Sequence, residues 1–258
     1  MMLALPTVLA VLTTPTATLP DPASLILGLP EVLQDTADAT QHPWTGNIGL
    51  ALNGSKTTTD SLSVRFNVSG TRKTDDDELS MSLVYMIQYA DDELSENNGL
   101  FELEQLWNCR PDASWNAWVQ GSVQFNAMEG YRTRVRTYGG VGYKVVNTDA
   151  LTVNLKSGLG GRWDYRGNTS IITQSLLETA IDWTIKDGLT VTATTSIAND
   201  LEAFSSYMFG VRVQLEMAVK AVDGLALTLG MREEYDSTPS AGSSSNQLWY
   251  WAGLQYGF

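Results

Sequence analysis

The sequence is short of the residues on which most site chemistry is built. It has one histidine, His42, one cysteine, Cys109, and only 17% charged residues among 258. A lone cysteine makes no disulfide within the chain, so cysteine usage neither demands nor excludes an oxidising compartment. Basic residues are scarce as well: 16 Lys and Arg stand against 29 Asp and Glu, a formal charge of −13. Bulk attraction to nucleic acid or to acidic lipid headgroups is therefore excluded. Past the N-terminal stretch, no segment approaches the roughly 18–20 consecutive apolar residues of a membrane helix, so any crossing of a bilayer must use strands.

What is present is alternation. From Trp44 onward apolar and polar residues take turns: Ile48, Leu50 and Leu52, then Leu62, Val64, Phe66 and Val68, with Arg65, Asn67 and Ser69 between them. The same period of two returns in "LSMSLVYMIQY", "WNAWVQGSVQF", "YRTRVRTYGGVGYKV", "LTVNLKSGLGGRWDY", "MFGVRVQLEMAV" and "LWYWAGLQYGF". We read an all-β chain of about twelve strands, many near the 9–11 residues that cross a bilayer at a tilt. The turns after the even strands, such as "NTDA", "KDG" and "VDG", carry hairpin signatures. The alternate connections, including "DDELSENN", "RGNTS" and "DSTPSAGSSSN", read as longer loops. Aromatic residues fall into two belts. Trp44, Trp115, Tyr143, Trp183, Tyr256 and Phe258 gather near one end, and Tyr89, Phe125, Tyr131, Trp163, Phe204, Tyr235 and Tyr250 near the other. Bilayer interfaces favour such belts, and a soluble sandwich has no reason for them.

The fold expected is a closed antiparallel transmembrane β-barrel over residues 44–258. Residues 1–20 read as an export signal, although no basic residue precedes their apolar core, and 21–43 as a periplasmic linker. In such a barrel Val135, Val141, Val145, Leu151, Val153, Leu155 and Leu159 face lipid, and the charged face lines the lumen. The lumen-lining candidates are Arg132, Arg134, Arg136, Lys156, Arg162, Arg166, Glu178, Asp182, Arg212 and Glu216. Asp164, Glu102, Glu104 and Glu234 share the inward parity as possible partners. If water fills the lumen, the arginines form a basic wall favouring anionic or polar solutes; if acids fill it, the same arginines close it.

Several stretches resemble a known family. "WTGNIGLALNGSKTTTDSLSVRFNVSGTRKTDDDELSMSLVYMIQYADD", "RVRTYGGVGYKVVNTDALTVNLKSGLGGRWDYR" and the closing "WAGLQYGF" are similar to the YdiY-like salt-induced outer-membrane proteins, domain of unknown function 481. The most specific positions are Gly140, Gly142, Tyr143, Thr148, Asp149, Gly158 and Gly160. Lys156 stands where that family often has an acid, which puts shared lumen electrostatics in doubt. The resemblance implies an outer-membrane barrel in a Gram-negative-type envelope. Tyr256 and Phe258 then resemble the terminal-strand signal read by the barrel-assembly machinery.

Enzymatic readings find little support. Barrel-borne hydrolases need a histidine within the barrel as base, and His42 precedes the first strand. Cys109 sits in "WNCRPDAS" with no relay beyond Arg110 and reads as inert. "TDDDE" and "ADDELSE" lack the spacing and central glycine of a calcium loop; on the outer face "ADDELSE" is at most a site for divalent cations that bridge lipopolysaccharide. "GGVGYK" and "GLGGR" imitate phosphate loops, but no helix follows either. No cofactor, metal or nucleic acid is expected. The partners expected are outer-membrane lipid, lipopolysaccharide, the assembly machinery and small solutes. Two functions stand: a narrow channel for small polar or anionic solutes, or a non-conducting structural or interaction barrel.

Overall fold

The computed structural model describes residues 44–56, 60–91, 93–108, 113–129, 131–165, 171–239 and 243–258. The export signal, the linker with His42, and Cys109, Arg110 and Arg166 lie outside the described residues.

Twelve strands run β1 Trp44–Lys56, β2 Asp60–Lys73, β3 Asp77–Ala90, β4 Glu93–Trp107, β5 Trp115–Asn126, β6 Thr133–Asn147, β7 Leu151–Tyr165, β8 Ile172–Lys186, β9 Leu189–Asp200, β10 Tyr207–Ala218, β11 Leu225–Asp236 and β12 Asn246–Gly257. Each pairs antiparallel with its sequence neighbours, and β1 pairs with β12, so the sheet closes on itself and leaves no edge. Closure is anchored by Gly46 and Phe258, which exchange both backbone hydrogen bonds at 2.9 Å. The near end of the barrel holds Trp44 and Phe258; the far end holds the 237–245 connection. Two near-end turns carry glycine at positive φ, Gly188 at 73° and Gly224 at 76°, the left-handed backbone that "KDG" and "VDG" require.

The alternation separates two faces as the sequence predicts. Ile48, Leu50, Leu52, Val141, Leu155 and Leu159 are exposed on the outer surface. On the same strands Ala51, Arg134, Tyr138, Lys156 and Arg162 are buried inside. An inverted pattern of this kind, apolar out and charged in, is stable only where the surroundings are hydrocarbon. Trp44, Trp115, Tyr143, Trp183, Tyr256 and Phe258 are all exposed at the near end, and Trp107 joins them there.

Three expectations fail, each for a local reason. "DDELSENN" is largely strand: β4 begins at Glu93, and Tyr89 pairs with Leu94 across a bulge. Pairing runs past the apolar zone because acids at the rim remain in water. The contrast between short turns and long loops is correspondingly weak, since the near-end connection 108–114 is as long as several at the far end. Tyr131 does not join the far belt. The 127–132 connection turns at Arg132, whose φ is 49°, and the Arg132 N–H donates back to the Glu129 carbonyl. The reversal breaks the parity and points Tyr131 inward, where it is 1% exposed.

Candidate lumen site

Parity delivers the charged side chains to the lumen, and strand stagger sets their height. Nearest the far end, Arg134 of β6 donates from Nε to Asp164 Oδ1 at 2.8 Å and from Nη2 to Asp164 Oδ2 at 3.0 Å. Its Nη2 also reaches Asp236 Oδ2 of β11 at 3.2 Å. Arg162 of β7 donates to the same Asp236 oxygen at 3.0 Å. All of these side chains are nearly excluded from solvent. The Tyr131 ring lies 4.2 Å from the Arg134 guanidinium, a cation–π contact that closes the layer from the loop side.

Arginine pairs define the middle layer. Arg136 donates from Nη1 and Nη2 to Glu234 Oε1 at 3.1 Å, and its Nη2 reaches Gln124 at 3.2 Å. Arg232 also pairs with Glu234. Arg212 of β10 donates to Glu102 of β4 at 2.9 and 3.1 Å. Strands β4 and β10 are six apart in a ring of twelve, so this bond spans the full width of the barrel. Nearer the near end, Lys156 of β7 holds Glu104 of β4 at 2.7 Å and Glu178 of β8 at 3.2 Å.

Between these layers lies a cavity of about 400 Å³, lined by charged side chains and by hydroxyls such as Ser69, Ser82, Ser122 and Thr194. The lumen wall also carries rings. Tyr138 lies over Gly160, where an added Cβ would come within 2.6 Å of the ring, and its hydroxyl donates to Gln174 at 2.7 Å. Trp118 lies over Gly158 in the same manner, and Trp251 over Gly230. The glycines let large rings lie flat against the neighbouring strand.

The sequence candidates sort clearly. Arg134, Arg136, Lys156, Arg162, Glu178 and Arg212 all enter the lumen network. Glu216 accepts from Gln255 at 3.1 Å, and Asp182 shares the inward parity of Glu178 but stays exposed toward the near end. Arg132 does not belong: it lies outside β6, exposed, at positive φ. Arg166 falls outside the described residues. The basic wall is therefore a paired wall. Asp236, which takes two of its arginines, was not a sequence candidate, because "YDSTPS" reads as the start of a loop although Asp236 keeps the even parity of Glu234. Arg65, Arg232, Trp249 and Trp251 were also missed, although each follows the inward parity of its strand. Within the described residues no cluster of three or more His, Cys, Asp or Glu is placed to hold a metal ion; part of "ADDELSE" lies outside them.

Comparison with known proteins adds the fold's relatives. A structure of the NanC porin superposes with a TM-score of 0.50 at 13% identity, covering 82% of this chain and 98% of that one. The KdgM porin gives 0.44 at 15% identity, covering 83% and 99%. The translocator domain of autotransporter NalP from Neisseria meningitidis gives 0.46 at 11% identity, covering 83% and 86%. At these identities the likeness concerns the fold alone. None of the functionally curated proteins matches the sequence. A family profile matches residues 46–258, nearly the whole barrel, and the chain belongs to the family described as protein of unknown function, DUF481.

Proposed function

We propose that the protein is an outer-membrane barrel whose lumen is a narrow channel for small polar or anionic solutes. The observation that carries this reading is the cavity of about 400 Å³ lined by hydroxyls and charges inside a closed barrel whose outer face is apolar. Among the described residues, side chains of the strands fill the lumen between the two mouths, and neither a folded-in loop nor a helix is found there. In this reading the near end faces the periplasm and the 237–245 connection faces outward. Its partners are membrane lipid, lipopolysaccharide and the assembly machinery. The exposed Tyr256 and Phe258 rings support anchoring of the last strand at the interface. The YdiY-like affinity within the family belongs to the same proposal. The chain's work is passage of solutes, with no catalytic step.

A second reading has its own observation. Ion pairs between strands four to six apart, Arg162–Asp236, Arg136–Glu234 and Arg212–Glu102, tie opposite walls together, as a non-conducting structural barrel would need. Planar-bilayer recording of the refolded protein decides between them. Discrete small conductances are expected, and silent membranes containing heat-modifiable, folded barrel would establish the structural reading.

A further inference from the structure

The middle layer of the lumen carries more positive charge than its acids balance. Arg65, Arg136, Arg212 and Arg232 stand against Glu102 and Glu234, four charges against two, an excess of two. The neighbouring layers have no such excess. Arg134 and Arg162 are balanced by Asp164 and Asp236, and Lys156 is outnumbered by Glu104 and Glu178.

Arg65 is the source of the imbalance. It points inward from β2, largely buried, and it is alone among the described inward-facing arginines in having no ion pair; its Nε has no hydrogen-bond partner. Its guanidinium stands 3.9 Å over the ring of Trp251. Arg232 stands 5.2 Å from the ring of Trp249 and lies in register with Arg212. Two buried indoles on β12 thus lie among three guanidinium groups: Arg65 on β2, and Arg232 and Arg212 on β11 and β10.

We propose that these guanidinium groups bind a short organic dianion, a dicarboxylate. One carboxylate is taken by Arg65, the other by Arg212 and Arg232. Guanidinium groups match carboxylates in a two-bonded geometry that ammonium groups do not. Two bound charges remove the excess of two, which a single carboxylate leaves half uncorrected. The site rests on the reading of the lumen as open to solutes, and it names the class of solute held there.

Isothermal titration of succinate and of acetate into the refolded barrel, at low ionic strength in a zwitterionic detergent, tests it. One succinate is expected per barrel, bound at least about tenfold more tightly than acetate. Arg65→Gln should remove that preference, and Arg65→Lys should restore it only in part, each checked for folding by heat-modifiable mobility. Glu102→Gln, which raises the excess to three and frees Arg212, should tighten succinate binding. Equal affinity for the two acids, no binding, or an Arg65→Gln barrel that still prefers succinate overturns the site. Conductance of the same preparations separates the two ideas: binding without current leaves the site and removes the channel, and current without binding does the reverse.

Discussion

At the scale of single residues, Asp236 and Tyr131 have the most to lose. One carboxylate oxygen of Asp236 accepts from both Arg134 and Arg162, and its other oxygen accepts the Thr238 N–H at 3.0 Å. Asp236→Asn keeps the last bond and the volume but leaves two buried guanidinium groups short of charge. Removing one partner of a buried pair costs on the order of 3–5 kcal/mol because the other charge stays desolvated. Asp164 still neutralises part of the cluster, so we expect the lower end, about 3 kcal/mol, read as a drop in the urea midpoint of the refolded barrel. An unchanged midpoint would mean that Asp236 contributes nothing to holding the layer. Tyr131 tests the same layer from the loop side. Burial is the main cause that pushes its phenol up to about 12, partly opposed by Arg134. A phenol free in the unfolded chain titrates near 10. The folded state therefore favours the neutral ring: this stability is complete below about pH 10 and is lost as pH rises from there through about 12. Wild-type barrel should weaken across that window more steeply than Tyr131→Phe, which has no proton to lose. Parallel pH profiles for the two would place the ring in water.

At the scale of elements, period two was sufficient for the strands and insufficient for what joins them. Each stretch from Trp44 to Phe258 that alternated in the sequence is a strand, because alternation is a local property of the pleat. Inward parity was legible for the same reason, and it put Arg134, Arg136, Lys156, Arg162 and Arg212 on the correct face. Parity gives the face but not the height. That Asp236 meets Arg162, and Glu102 meets Arg212, depends on the stagger of strands around the whole closed ring, which no window of sequence contains. Turns are where parity is lost: Arg132 and Tyr131 were assigned by counting through a connection that reverses at positive φ. Lys144 and Thr184 mark bulges, where one extra residue shifts the register of β6 and β8. The hairpin alternation itself makes a topological prediction. Both chain ends of the barrel lie with the near-end turns, so an epitope inserted at Ser243 should bind antibody on intact cells, whereas one inserted at Asp187 in the β8–β9 turn should bind only after the outer membrane is opened. Exposure at Asp187 with protection at Ser243 would invert the orientation.

At the scale of the whole molecule, the question is whether the walls are held apart or held together. A ring of twelve strands lies between small barrels filled by side chains and large porins with open water. The side chains that cross the lumen therefore decide the matter. Arg212 and Glu102 span half the circumference and are the most solvent-accessible of the lumen pairs, at 40% and 33% side-chain exposure. Partly hydrated pairs of this kind contribute little to stability, on the order of 1 kcal/mol or less. They can therefore be removed together without unfolding the barrel, unlike the buried pairs above them. The double variant Arg212→Gln, Glu102→Gln deletes one positive and one negative charge, so the net charge of the lumen is unchanged. It should raise single-channel conductance by opening the widest crossing, while reversal potential under a salt gradient stays where it was. Arg212→Gln alone removes only the positive charge and should move the reversal potential toward cations. If the double variant conducts no more than the wild type, this bar is not the constriction, and the narrowest point lies in the Arg134, Arg162 and Asp236 layer. If it shifts selectivity as far as the single variant does, the two charges do not act as a pair across the lumen, and the crossing seen here is not the conducting geometry.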